Sequence, residues 1–315
     1  MKKKVLIFCD VGIDDAIALN YAYLVGNIEV VGIVAGYGNI PRIETVRNAR
    51  YLLQLIGRED IPVFSGAINP MTGNLPTFYS DVHGQFGLGP IQPDIALEEF
   101  ENFCDVIPLL EAYQQELTIV TMGRLTSLAT LCLLYKDLMT KIPSYYIMGG
   151  AFLYPGNVTP VAEANFYEDP VAANIVMKYL TNISIYPLNV TQQAIVTPDM
   201  VNYIHSKGKT TILKPLLDYY YFQFYQKQVP GIQGSPVHDA LTLMAVNRDD
   251  LFTYYLSSVD ICGTTESSRG QTIGDFRITL TPEVFDDRPK QRIAMHLDYE
   301  KFYKEFMTVM TGEHF

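Results

Sequence analysis

The sequence predicts an α/β fold: a single domain over residues 1–315, built on an open, mostly parallel, doubly wound sheet flanked by helices, with elaborations at its C-terminal end. Three observations predict it. Apolar, β-branched runs alternate with segments of helical spacing through the first two thirds of the chain, the pattern of βαβ units. The turns after most of these runs carry Gly, Asn and Asp, and in a parallel sheet such turns converge on one edge, where open α/β sheets bind ligands. No Ser/Gly-rich linker, charge block or internal repeat divides the chain.

The elements follow in order. Val5 to Phe8 is an apolar run and reads as a first buried strand. Gly12 allows a tight turn, and Ala16, Ile17, Leu19, Ala22 and Tyr23 have helical spacing. Ile28 to Ala35 is a second strand. Ile43 to Ile56 is a helix that stops at Gly57, and Ile61 to Phe64 is a short strand. Asn69 to Pro93 is rich in Gly and Pro and lacks periodicity; so long a loop inside a compact chain is a functional or mobile one. Leu97 to Gln114 is expected to be helical, Leu117 to Thr121 a strand, and Leu125 to Leu134 a helix after Gly123. Tyr145 to Met148 is a strand that ends in Gly149-Gly150, ahead of a second Gly/Pro-rich loop to Asn165. Asp169-Pro170 opens a helix in the N-cap-then-N1 order. Ile183 to Tyr186 is a further strand. Thr197 to Gln228 is expected to be helical, with a tyrosine-rich patch from Tyr219 to Tyr225. Strand-like runs near Leu256 to Ile261, Phe276 to Leu280 and Arg292 to His296 complete the chain.

Composition narrows the function. The chain is 48% hydrophobic, enough for a large core, and its formal net charge is -11. That charge argues against a nucleic-acid partner, which wants a basic face, and suits a small-molecule ligand. Lys2-Lys3-Lys4 precedes an apolar stretch that Asp10 interrupts too early for a signal peptide or a membrane span, so no membrane partner is expected. Cys9, Cys104, Cys132 and Cys262 are scattered, without metal or redox spacing, which fits a reduced, cytoplasmic protein. Cys9 adjoins Asp10 and reads as a small buried residue rather than a nucleophile.

The most informative segment is Cys9-Asp10-Val11-Gly12-Ile13-Asp14-Asp15-Ala16. It packs three carboxylates at the carboxyl end of the first strand. A helix cap explains one acid there, but not three. Like charges this close call for a counter-charge, and a hard divalent cation favours oxygen ligands. Asp239, in Pro236-Val237-His238-Asp239, supplies a further carboxylate at the start of a helix. Flexible, oxygen-rich ligation suits Ca²⁺, whereas Mg²⁺ wants stricter octahedral geometry. Such a cation lowers the pKa of a bound water, and a neighbouring carboxylate takes the proton. Asn39, Asn157, Glu163 and Asn165 suit sugar hydroxyls; no phosphate-binding loop or basic cluster is present. His83 and His238 are candidates to contact or protonate a leaving group. A haloacid-dehalogenase-type phosphatase is excluded because in either register of its paired aspartates one falls on Phe8 or Gly12.

The same residues resemble a known family. Asp10-Val11-Gly12-Ile13-Asp14-Asp15-Ala16 is similar to the DxDPGxDDA signature of the inosine–uridine-preferring nucleoside hydrolases. Gly38-Asn39, His83-Gly84 with Gly87-Leu88-Gly89, and Gly123-Arg124-Leu125-Thr126-Ser127 follow in the family's order. So do Met148-Gly149-Gly150, Gly156-Asn157-Val158-Thr159-Pro160, Ala162-Glu163-Ala164-Asn165, Asp169-Pro170, His238-Asp239 and Arg269-Gly270-Gln271-Thr272 with Asp275.

The resemblance implies an open, Rossmann-like sheet and hydrolysis of the N-glycosidic bond of ribonucleosides to ribose and free base, with bound Ca²⁺. It implies that Asp10, Asp15, Asp239 and the Met122 carbonyl hold the metal, and that Asp10 is the base for the attacking water. Asp14, Asn39, Glu163 and Asn165 would grip the ribose, with Asn157 and Met148 nearby. His83 and Phe166 would face the base, and His238 would help it leave. Apart from the resemblance, the tyrosines from Tyr219 to Tyr225 are the rival source of that donor, with Tyr225 the substrate-binding candidate among them. The resemblance also implies a homodimer or homotetramer. The chain departs from the family pattern at Phe8, where an Asp is usual, at Val11, where a Pro is usual, and at Arg124 and Ser127 within GPLTN. These departures motivate one alternative, a nucleoside- or ribose-binding protein of the same fold with weak or lost turnover.

Overall fold

In the computed structural model, residues 2–96, 102–263, 267–278 and 288–315 are described. The apolar run after Lys3 forms strand β1 (Lys3–Cys9). Its side chains alternate between two cores: Val5, Ile7 and Cys9 pack on one face, Leu6 and Phe8 on the other. A strand buried on both faces has no room for polar side chains, which accounts for the unbroken apolar run.

β1 lies at the centre of an eight-stranded sheet. β2 (Ile28–Ala35) and β3 (Val63–Ser65) lie to one side; β4 (Leu117–Thr121), β5 (Ser144–Met148) and β6 (Ile183–Tyr186) lie to the other. β7 (Phe252–Ser257) and β8 (Gln291–Leu297) extend the far edge, in the order β3-β2-β1-β4-β5-β6-β8-β7. All neighbours are parallel except β8 with β7. From β1 the chain steps outward through β2 to β3, then crosses back to β4 on the other side of β1 and steps outward through β5 to β6. The carboxyl end of β1 is therefore the switch point, where loops diverge and leave a crevice. Register aligns the loops there: Phe8 pairs with both Val34 and Thr121, so Asp10, Gly36 and Met122 leave the sheet at one level.

Three expectations are corrected. The helix expected over Leu97 to Gln114 is observed as Val106–Tyr113, after a single 3₁₀ turn at Phe103–Asp105; residues 97–101 lie outside the described residues. Pro108 explains the late start, because its ring clashes with the carbonyl four residues back and is tolerated only in a first turn. The helix expected over Thr197 to Gln228 is broken. Pro198–Lys207 ends at Gly208, whose φ of 69° is the left-handed C-cap, and helix resumes at Leu213. The strand expected over Phe276 to Leu280 is irregular at 276–278, and Thr279 and Leu280 lie outside the described residues. The short strand there is Thr272–Gly274 instead, paired with Val259–Ile261. No helix among the described residues is long and apolar enough to cross a membrane.

Candidate active site

The acidic segment leaves β1 and enters helix α1 (Ile13–Val25), so Asp14 and Asp15 sit in its first turn. Asp15 does act as a cap: its Oδ2 accepts from Gly12 N at 2.8 Å. Its Oδ1 makes no hydrogen bond. Asp239 arrives from the first turn of another helix, His238–Met244. Carboxylate oxygens of Asp14, Asp15 and Asp239 lie within 4.8 Å of one another, all buried. Asp10 is 1% exposed, and its Oδ2 accepts from Asn39 N at 2.7 Å and Arg124 Nη1 at 2.6 Å. The chain passes so close to Asp10 that a Cβ on Gly38 would fall 1.8 Å from Oδ2 and one on Gly123 2.6 Å from Oδ1.

Oδ1 of all four aspartates is buried without a partner. A buried carboxylate oxygen without a donor is costly, and the three aspartates that lie together, Asp14, Asp15 and Asp239, fit a bound cation, with Asp10 outside that group. The donor set is all oxygen, which suits a hard ion. Burial, followed by neighbouring like charges, pushes the carboxyls of Asp14, Asp15 and Asp239 up, Asp14 to about 7. Burial also pushes the Cys9 thiol up, which disarms it as a nucleophile.

Beside the acids opens a cleft of about 630 Å³. Its wall includes Asp14, Asn39, His83, Met122, Met148, Asn157, Glu163, Asn165, Tyr225, His238 and Asp239, the sequence-predicted residues. Asp10 and Asp15 are not on that wall but are bonded to Asn39, which is; Asn39 Nδ2 donates to Asp15 Oδ2 at 3.3 Å. Glu163 caps the helix Ala164–Glu168: its Oε1 accepts from Asn165 N and its Oε2 from Gly150 N, both at 2.9 Å. Asn157 Oδ1 accepts from Ala164 N at 3.0 Å. Asn165 Nδ2 donates to the carbonyls of Met122 and Met148, at 3.1 and 3.3 Å, and so ties together the ends of β4 and β5. The late segment supports this loop: Arg269 donates to the carbonyls of Tyr167 and Glu168, and Thr272 Oγ1 accepts from Ala151 N.

On the opposite wall, His238 Nδ1 lies 2.9 Å from Thr191 Oγ1 and Nε2 lies 3.2 Å from Tyr225 OH. A π-helical turn over Tyr220–Tyr225 places these two tyrosines on one face, with their rings 4.9 Å apart. His83 Nδ1 accepts from Ile13 N at 3.1 Å, so its imidazole is pinned above the start of α1. Burial lowers both histidines, His83 to about 3 and His238 to about 4, and keeps both rings neutral.

Phe166 is a correction. It is fully buried in the apolar core beneath Gly149 and Gly150, where a Cβ on Gly149 would meet its ring at 2.4 Å, and it does not line the cleft. Phe8 likewise packs into that core. Residues missed by the sequence reading are Tyr79, Thr191 and, as a member of the site, Arg124. Thr191 was within reach of the strand-end argument, because it lies in the turn that follows β6.

Comparison with known proteins identifies the family and agrees with the fold. The chain is 34% identical to pyrimidine-specific ribonucleoside hydrolase RihA of Escherichia coli O127:H6, over 96% of each. It is 34% identical to uridine nucleosidase 1 of Arabidopsis thaliana, over 80% of this chain and 76% of that one. The structure of a purine-preferring ribonucleoside hydrolase from Gardnerella vaginalis superposes with a TM-score of 0.88 at 26% identity, covering 98% of both chains. The profile of the inosine-uridine preferring nucleoside hydrolases matches residues 5–304, and the chain belongs to that family of enzymes.

Proposed function

We propose that the enzyme cleaves the N-glycosidic bond of a ribonucleoside to ribose and free base, with Ca²⁺ held by the acidic cluster. The observation that carries the cation is the set of four buried, unpartnered Oδ1 atoms of Asp10, Asp14, Asp15 and Asp239, against a cleft lined by neutral amides. Asp14, Asp15 and Asp239, whose carboxylate oxygens lie within 4.8 Å of one another, would hold it, and Asp10, which that group does not include, and the Met122 carbonyl are proposed as further ligands. When bound, Ca²⁺ supplies positive charge that lowers the pKa of a neighbouring water. Asp10 would accept the proton of the attacking water at Oδ1, its free oxygen, while Oδ2 is fixed by Asn39 and Arg124. Asp14, Asn39, Asn157, Glu163 and Asn165 hold the ribose hydroxyls. Contacts that tighten as the sugar gains oxocarbenium character lower the barrier rather than only the binding constant. His238 and Tyr225, joined by a hydrogen bond, offer a neutral donor to the departing base and so stabilise the negative charge that develops on it.

The test is release of free base from a panel of purine and pyrimidine ribonucleosides, with Ca²⁺ and with a chelator. We expect release from at least one nucleoside and its loss on chelation; no release from any of them refutes the hydrolase reading, and release indifferent to chelation refutes the metal. The Arg124–Asp10 ion pair favours a second reading, a nucleoside-binding protein with weak turnover. Tight binding of a non-hydrolysable ribose analogue beside negligible base release would select it. A homodimer or homotetramer in the reducing cytoplasm is also proposed, in keeping with four free cysteines; light scattering tests the assembly.

A further inference from the structure

Arg124 is the only Lys or Arg among the described residues that line the cleft. Its side chain is 2% exposed. Nη1 donates to Asp10 Oδ2 at 2.6 Å and to Asn165 Oδ1 at 3.1 Å, and Cζ lies 5.5 Å from the centre of the Tyr79 ring. Nε and Nη2 are buried with no hydrogen-bond partner. A guanidinium does not give up its proton, so a full positive charge is built into the floor of the site. It stands against one of the four aspartates whose other oxygens are unpartnered.

We propose that Arg124 is an internal counter-cation: it competes with the divalent ion for Asp10 and sets the affinity of the acidic cluster for that ion. The inference rests on the cation reading above. Two physical effects act in one direction. Arg124 neutralises Asp10, so an ion entering beside Asp14, Asp15 and Asp239 is attracted by three uncompensated carboxylates rather than four. It also repels that ion across a buried, weakly screened space, where charges act more strongly than in water. In return it holds Asp10 Oδ2 directly while anchored on Asn165 Oδ1, so Asp10 keeps its place when little cation is present. Arg124 is thus a positioning residue that acts through Asp10 and trades cation affinity for a pre-organised acid cluster.

The experiment is a calorimetric calcium titration of the full chain as wild type, Arg124→Met, Arg124→Gln and Arg124→Lys, each checked for folding by circular dichroism. Met keeps the length and removes the charge; Gln also keeps a donor for Asp10; Lys keeps the charge. Neighbouring groups that are not ligands shift metal affinity by roughly 10–100-fold, so both neutral variants are expected to bind Ca²⁺ at least about tenfold tighter than wild type, with the Lys variant close to wild type. Neutral variants that bind no tighter than wild type overturn the proposal and leave the cation reading standing. Absence of calcium binding in every variant overturns both. If neither neutral variant folds, the Arg124 Nε–H resonance of wild type is followed during titration: movement as Asp10 is shared supports the competition, and a fixed signal while calcium binds overturns it.

Discussion

Asp10 uses its two oxygens differently. Oδ2 is saturated by Asn39 N and Arg124, which fixes the carboxylate plane; Oδ1 faces no donor. Asp10→Asn keeps the shape but removes the proton acceptor, so turnover is expected to fall at least about 100-fold, the scale of general-base loss. Near-normal turnover by this variant would assign the proton to another group. His238 poses a different question, because burial holds its ring neutral. A neutral imidazole is a weak acid, so the hydrogen bond to Tyr225 matters: either partner can offer a hydrogen bond to the departing base. His238→Ala is expected to slow natural nucleosides strongly and to spare a p-nitrophenyl riboside, whose leaving group needs no proton. Equal losses on both substrates would make His238 a structural or ribose-side residue.

At the scale of elements, the site depends on how loops and helix starts are tied down. Asp169 is fully buried and serves three segments at once. It caps the helix Pro170–Tyr179 by accepting from Ala172 N at 3.1 Å, and its Oδ2 accepts from Thr126 Oγ1 and Met71 N, both at 2.7 Å. Asp169→Ala removes a cap and leaves buried donors unpaired, a cost of about 2–4 kcal/mol. A urea midpoint lowered accordingly with an unchanged slope would bear this out; an unchanged midpoint would contradict it. The π-helical turn is the other such device. By bringing Tyr220 and Tyr225 onto one face it lets Tyr225 reach His238, a contact that an unbroken α-helix over this segment would not aim the same way.

Two equilibria are expected to act on the stability of the whole molecule. If the acidic cluster binds Ca²⁺ in the folded state alone, a hundredfold excess over the dissociation constant adds about 2.7 kcal/mol of stability. The melting temperature should rise by several degrees with calcium and return on chelation; a midpoint blind to calcium would argue against a metal at this site. The second equilibrium is protonic. Burial, then the Arg124 charge, lowers His83 to about 3 from an unfolded value of about 6.5. Between those values the unfolded chain binds more protons, so this contribution is fully present above about pH 6.5 and is lost as pH falls toward the folded value. Relative to His83→Gln, wild type should therefore lose up to about 1.4 kcal/mol of stability for each pH unit below about 6. Urea midpoints of the pair from pH 7 to 4 measure it, and a constant difference would refute it.

Much of this was legible in the residues alone. Val5 to Phe8 with Asp10, Asp14 and Asp15 behind it marks a buried strand and an acidic strand end, because apolar periodicity and local charge are properties of neighbours in sequence. Asn39, Glu163 and Asn165 were legible for the same reason: each lies in the connection that follows a parallel strand, and strand ends converge. Helix interruptions were less so. Pro108 and Gly208 carry the signals, but apolar spacing continues past both. Only the tertiary structure decided that β7 joins β8 antiparallel at the far edge, that Phe166 turns into the core, and that Arg124 reaches Asp10 across 114 positions of sequence. These outcomes depend on which distant surfaces pack together. A side chain's direction and its charge partner are set by that packing, and no local pattern encodes them.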